Sequence, residues 1–205
     1  MRGHGPRYRV VFRRRREGKT NYLLRRKLLL SNRLRFVIRR SNRYITVQIL
    51  KPHLDGDHVI VSAHSKELQE KFDWKGNCGN IPATYLTGLL AGFRATKAGL
   101  ENAVLDIGIV APIKGAKIFA ALKGALDAGL SIPHSEDVLP DESRIRGEDI
   151  ANYAKLLSEA EEDEDKKQTQ VFTLVAKRGL QPQNLPEHFD EIKNKIVNSF
   201  DKEAN

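Results

Sequence analysis

An α/β fold is what the sequence predicts: a mixed sheet, made of an antiparallel three-strand meander plus a central strand, with helices packed on it. A basic N-terminal extension precedes that core and a helical C-terminal appendage follows it. Three observations carry the expectation. Residues 34–64 read as strands between turn signals, an almost unbroken apolar run follows at 103–110, and two helical stripes rich in small residues flank that run. The chain of 205 residues then divides into an extension (1–33), a core (34–134) and an appendage (135–205) with an acidic linker at 159–168.

Charge sets the extension apart. Residues 1–53 hold 17 Lys or Arg against the single acid Glu17, whereas residues 54–205 hold 18 against 25. Such a density repels itself, so a folded chain keeps it where a polyanion or counterions lie against it. A disordered basic tail is the common alternative, but Tyr8, Val10, Val11, Phe12, Tyr22, Leu23 and Leu24 interleave with the charge, and disordered tails usually lack such residues. Thr20 to Leu30 reads as a short helix, with Thr20 in the cap position and Leu24 and Leu28 on one stripe. The clustering favours a nucleic-acid surface.

Residues 35–49 read as a hairpin with Asn42 in its turn. Asp55-Gly56-Asp57 makes a second turn into a third strand, His58 to His64. Ser65 is placed to cap a short helix running to Lys71. In the loop that follows, Trp74 and Lys75 suit either of two roles: stacking on and pairing with RNA, or a Trp lid on the core. Asn80 and Pro82 start a helix that ends at Gly99. One of its stripes is large (Tyr85, Leu86, Leu89, Leu90, Phe93) and the other small (Gly88, Ala91, Gly92, Ala95), so it is expected to be buried on two sides. Ala103 to Val110 suits a central strand covered on both faces. A helix from Gly115 to Gly129 completes the core. Further helical stripes at 147–157, 170–178 and 186–200 are each too thin to fold alone and must dock on the core or on a neighbouring molecule.

Several chemistries are excluded or left without support. The lone Cys78 excludes internal disulfides and multi-cysteine zinc sites. No apolar run reaches membrane-spanning length, so a membrane is not an expected partner; DNA is not expected as a partner either. The Arg-rich start mimics an organelle presequence, but it leads straight into structured-looking sequence, and the cytoplasm is the expected location. Gly18-Lys19-Thr20 resembles the end of a phosphate-binding loop, yet Arg13 stands where that loop needs a glycine. Asp106 is the one carboxylate placed like a catalytic group. Nothing in the pattern supplies a second acid for two-metal chemistry, so it reads as a buried carboxylate paired with Arg94 or a backbone donor. The six histidines lack metal-site spacing, and no metal, cofactor or enzymatic activity is expected. A nuclease built on Asp106, and a protein-interaction module in the acidic half, remain the alternatives.

The ordered blocks Arg13-Arg14-Arg15-Arg16-Glu17-Gly18-Lys19-Thr20-Asn21-Tyr22, Arg39-Arg40-Ser41-Asn42, Tyr85-Leu86-Thr87-Gly88-Leu89-Leu90-Ala91-Gly92 and Val104-Leu105-Asp106-Ile107-Gly108 resemble the 5S rRNA-binding large-subunit ribosomal proteins of the L-eighteen family. Phe119 to Leu130, Ile132 to Ser135 and Arg144-Ile145-Arg146-Gly147 are similar to its long archaeal and eukaryotic branch. The resemblance implies an α/β core that grips 5S rRNA and an extension threading between 5S and large-subunit rRNA in the central protuberance. It also implies the L-five family protein as a neighbour. By the same resemblance the RNA contacts fall on Arg13, Arg14, Arg15, Arg16, Lys19, Thr20, Tyr22, Arg25, Arg26, Arg33, Arg35, Arg39, Arg40, Asn42 and Arg43. Arg7, Tyr8, Arg9, Trp74 and Lys75 complete the expected set.

Overall fold

The computed structural model describes residues 5–160 and 171–204. β1 (Arg35–Arg40), β2 (Ile45–Pro52) and β3 (Asp57–His64) form the antiparallel meander, with β1 paired to β2 from Arg35↔Leu50 to Arg40↔Ile45. β4 (Val104–Asp106) pairs parallel to β1 through Arg35↔Val104 and Val37↔Asp106. The α/β class and the mixed sheet therefore stand, but the order β3-β2-β1-β4 corrects the central strand predicted at 103–110: β4 is a three-residue edge strand. Gly108, at φ +70°, turns the chain away, and Leu105, Ile107 and Val110 pack against the core from the side.

One face of the sheet builds the core from Phe36, Ile38, Val47, Ile49, Val61 and Ala63, all buried. Against it lies α4 (Ile81–Lys97). Asn80 caps this helix by accepting the Ala83 N–H at 3.0 Å, and Gly99 (φ +70°) follows its end. The small stripe of α4 meets α5 (Lys117–Asp127) almost backbone to backbone. A Cβ on Gly88 would run into the carbonyl of Ala121, and one on Gly124 into that of Tyr85. Two helices can approach this closely only where neither carries a side chain at the crossing.

β3 is the other edge of the sheet, and its far half is shielded by side chains. Arg94 donates to the Ser62 carbonyl at 2.5 Å, while Glu67 of α3 (Lys66–Phe72) accepts the His64 N–H at 3.0 Å. Ser65 occupies the cap position of α3, but its hydroxyl accepts from the Ile45 N–H instead.

α6 (Glu142–Arg146), α7 (Glu148–Ala160), α8 (Thr173–Lys177) and α9 (Leu185–Ala204) form the C-terminal part. They dock on the core of the same chain: Phe189 packs on Tyr85 and Phe200 on Phe93 at ring separations of 5.6 and 5.3 Å, with Ile192 and Ile196 fully buried between. The acidic run predicted at 159–165, with its linker to 168, lies outside the described residues apart from its first two positions, which close α7.

Replacing Gly88 by Ala is expected to lower stability by about 2 to 3 kcal/mol, because an added methyl has to push α5 away from α4. Urea unfolding measures this, and a change below about 0.5 kcal/mol would contradict the close helix crossing.

Candidate nucleic-acid interface

The basic region is two structures joined by ion pairs. α2 (Tyr22–Leu30) is capped by Asn21, whose side chain accepts from Leu23 and Leu24 at 3.1 Å each. Thr20, predicted as the cap, instead accepts from Arg14 Nε at 2.8 Å. A nine-residue helix is marginal by itself. Arg25 fastens it with a bidentate hydrogen bond to Asp57 at the start of β3, at 2.7 and 2.9 Å. These bonds, with Arg35 beyond them, hold the Asp57 carboxyl down at about 2 and raise Arg25 above its ordinary value.

Arg35 lies at the centre, 2% exposed, on the sheet face opposite the core. Its Nη1 donates to Asp106 Oδ2 at 2.9 Å, and its Nη2 stands 2.6 Å from Asp57 Oδ2. The second contact is off the line of the N–H bonds, so it acts as an ion pair and not as an aligned hydrogen bond. Asp106 also holds Arg39. Arg39 Nη2 reaches Oδ1 at 3.3 Å, while Nη1 donates to the Asp106 and Ile38 carbonyls at 3.0 and 2.9 Å. The Gly108 N–H completes the carboxylate at 2.9 Å. Of the two partners that the sequence offers Asp106, the backbone donor stands as the Gly108 N–H and Arg94 is corrected, as is the absence of a second acid near it. Arg94 instead pairs with Glu67 at 2.6 Å, and Asp57 is the second acid. Guanidinium groups engage both aspartates, and among the described residues no group of three His, Cys, Asp or Glu could hold a metal ion. This geometry removes the support for a nuclease centred on Asp106.

Arg39 is half exposed beyond its anchor, and there the extension folds back to the sheet. Arg14 and Lys19 from the extension, Arg39 and Arg40 from β1, and Ser41 and Asn42 from the turn line a cleft of about 520 Å³ with no carboxylate among its walls. Glu17 sits outside it, paired with Lys19 at 2.8 Å and Arg13 at 3.6 Å. Such a cleft has the charge and the donors to accept a phosphodiester backbone. Arg13 to Arg16 themselves form the single turn α1 (Arg13–Arg16), with no buried residue.

The other expected contact residues divide by exposure. Arg7, Tyr8, Arg9, Arg15, Arg16, Arg26, Arg33 and Arg43 are exposed, and Tyr22 is half buried with its ring 5.1 Å from that of Phe12. Arg25 is partly committed to Asp57. Arg35 is fully committed to the two aspartates and has no surface to offer RNA, a correction forced by its burial. Trp74 is corrected too. At 2% exposure it stacks on His188 of α9 at 5.2 Å and donates to the Asn77 carbonyl, which makes it the core lid. Lys75 is half buried beside it, and its N–H donates to His188 Nε2 at 3.1 Å. Asp57 is the functional residue that sequence reasoning misses, because it reads there as a turn residue. Its one signal is that of an acid facing a strongly basic segment.

A sequence profile described as "Ribosomal large subunit proteins 60S L5, and 50S L18" matches residues 6–102 and 95–135. The large ribosomal subunit protein uL18 of Ignicoccus hospitalis is 52% identical over 196 residues, covering 96% of this chain and 94% of the relative. That of Aeropyrum pernix is 50% identical over 198 residues, covering 97% and 91%. The chain belongs to the uL18 family. Membership makes it a structural constituent of the large ribosomal subunit in the cytoplasm, associated with ribosomal RNA and ribosomal proteins, and not an enzyme. Among the described residues no helix is long and apolar enough to cross a membrane.

For this uL18-family chain, Asp106→Ala leaves the Arg35 guanidinium buried beside a single, misaligned partner. The expected loss is about 3 to 5 kcal/mol in denaturant unfolding. A loss below about 1 kcal/mol would mean that Arg35 is not held by this carboxylate.

Proposed function

We propose that the chain docks 5S rRNA onto large-subunit rRNA in the central protuberance, with the L-five family protein as its protein neighbour. The acid-free cleft formed by Arg14, Lys19, Arg39 and Arg40 carries the RNA part of this reading. 5S rRNA as the partner rests on the family resemblance. The exposed arginines around the cleft neutralise phosphates and release condensed counterions, which supplies affinity without reading sequence. Selectivity then comes from shape: the cleft, the β1–β2 turn and α2 lie in fixed relative positions, so only an RNA whose backbone passes through all three places its phosphates well. Arg39 is the best placed of the cations. Three of its hydrogen bonds are made inside the protein, so its exposed edge is already oriented when RNA arrives.

The charge reversals Arg14→Glu and Arg16→Glu, made together, are expected to weaken binding to refolded 5S rRNA at least tenfold. They should also flatten the dependence of log K on log salt by roughly 0.7 to 0.9 for each phosphate no longer neutralised. The thermal unfolding of the free protein should barely move, since both side chains are exposed. Equal affinity of the wild-type chain for 5S rRNA and for an unrelated structured RNA, or a flat salt response, would overturn the proposal.

A further inference from the structure

Asn42, in the β1–β2 turn, borders the basic cleft and also a second cleft, of about 340 Å³. The two clefts share Asn42 as a wall. The loop 76–80 presses so closely on the turn that a Cβ on Gly79 would stand 2.9 Å from the Asn42 carbonyl oxygen. Beyond that wall the second cleft is lined by Asn77, Asn80, Lys117, Arg144 and Asp149, with an apolar floor at Ile150.

Its polar groups are biased toward donors. Asn77 Oδ1 already accepts the Gly79 N–H and Asn80 Oδ1 the Ala83 N–H, both at 3.0 Å. Each side chain is left with its NH₂, for which no acceptor exists among the described residues. Lys117 is half buried and makes no ion pair among the described residues. Arg144 meets the one carboxylate of the cleft, Asp149, through Nε at 3.4 Å. A half-buried lysine without an ion-pair partner among the described residues, beside a guanidinium and two donor amides, is well suited to an anion.

We infer that this second cleft is a continuation of the RNA interface, and that it takes a phosphodiester of unpaired ribosomal RNA between Lys117 and Arg144. The inference rests on the RNA-binding reading above and extends it to residues far outside the basic extension. The apolar floor suits the face of a sugar or base attached to that phosphate. The RNA strand would pass from the first cleft around Asn42 into the second. Either 5S rRNA or large-subunit rRNA can supply such a strand.

The test is the full-length chain carrying Lys117→Ala and Arg144→Ala, titrated separately with refolded 5S rRNA and refolded large-subunit rRNA over a range of salt. One of the two RNAs is expected to lose about tenfold in affinity, with a salt slope shallower by roughly 0.7 to 0.9 for the one phosphate no longer neutralised. The RNA that responds is the occupant. Unchanged binding of both, while Arg14→Glu with Arg16→Glu still weakens 5S rRNA binding, would overturn this inference and leave the general reading standing. Unchanged binding in both variants would overturn both. Amine acylation of the wild-type chain gives a readout independent of mutant folding: Lys117 should be protected in the RNA complex, and full reactivity there would also overturn the inference.

Discussion

A buried guanidinium between two carboxylates is the constraint on which the rest of this molecule depends. Arg35 comes from the central part of the sheet, Asp106 from the edge strand β4 and Asp57 from the far end of the meander. A charge that is 2% exposed is tolerable only when paired, so the pairing fixes three distant segments at once. Each aspartate then engages a second arginine. Asp57 fastens α2 through Arg25, and Asp106 orients Arg39. The two acids therefore do more for the basic surface than their small share of its charge suggests: one holds the extension in place and the other aims a cation.

This divides the arginines of the first 53 residues into two populations. Arg35 and Arg25 are internal fasteners. Arg14, Arg39 and Arg40 face a cleft without a carboxylate in its lining, and Arg13, Arg15, Arg16, Arg26, Arg33 and Arg43 are exposed to solvent. Isolated surface cations contribute little to folding, and a crowd of them opposes it. A crowd of this size fits a chain that spends its life against ribosomal RNA, as membership of the uL18 family entails.

Local features of the fold were legible in the sequence. Asn80 ahead of Pro82 marked a helix start, and the small stripe of Gly88, Ala91, Gly92 and Ala95 marked a close helix crossing, because caps and periodicities are short-range signals. What could not be read was pairing across long separations. Arg33 and Arg35 look alike in sequence. Arg35 lies in β1, where the parallel pairing with β4, about 70 residues away, buries it, whereas Arg33 precedes the strand and stays exposed. The same pairing gave Asp106 its partners and excluded Arg94. The apolar run at 103–110 carried the composition of a central strand, but composition does not count neighbours, and Gly108 ends the strand after three residues. Trp74 offered two roles to the sequence. His188, more than a hundred residues later, decides between them by stacking on it. Lys117 gave no local signal, since its significance lies in what is missing around it.

The central claim is that the carboxylates order the extension before RNA arrives. Amide hydrogen exchange across residues 22–30 of the free chain tests it most directly, with Asp57→Ala alongside. The account predicts measurable protection of these amides in the wild-type chain without RNA, and its loss in the variant while the β2 amides stay protected. Exchange of residues 22–30 at unstructured rates in the RNA-free wild-type chain would contradict it.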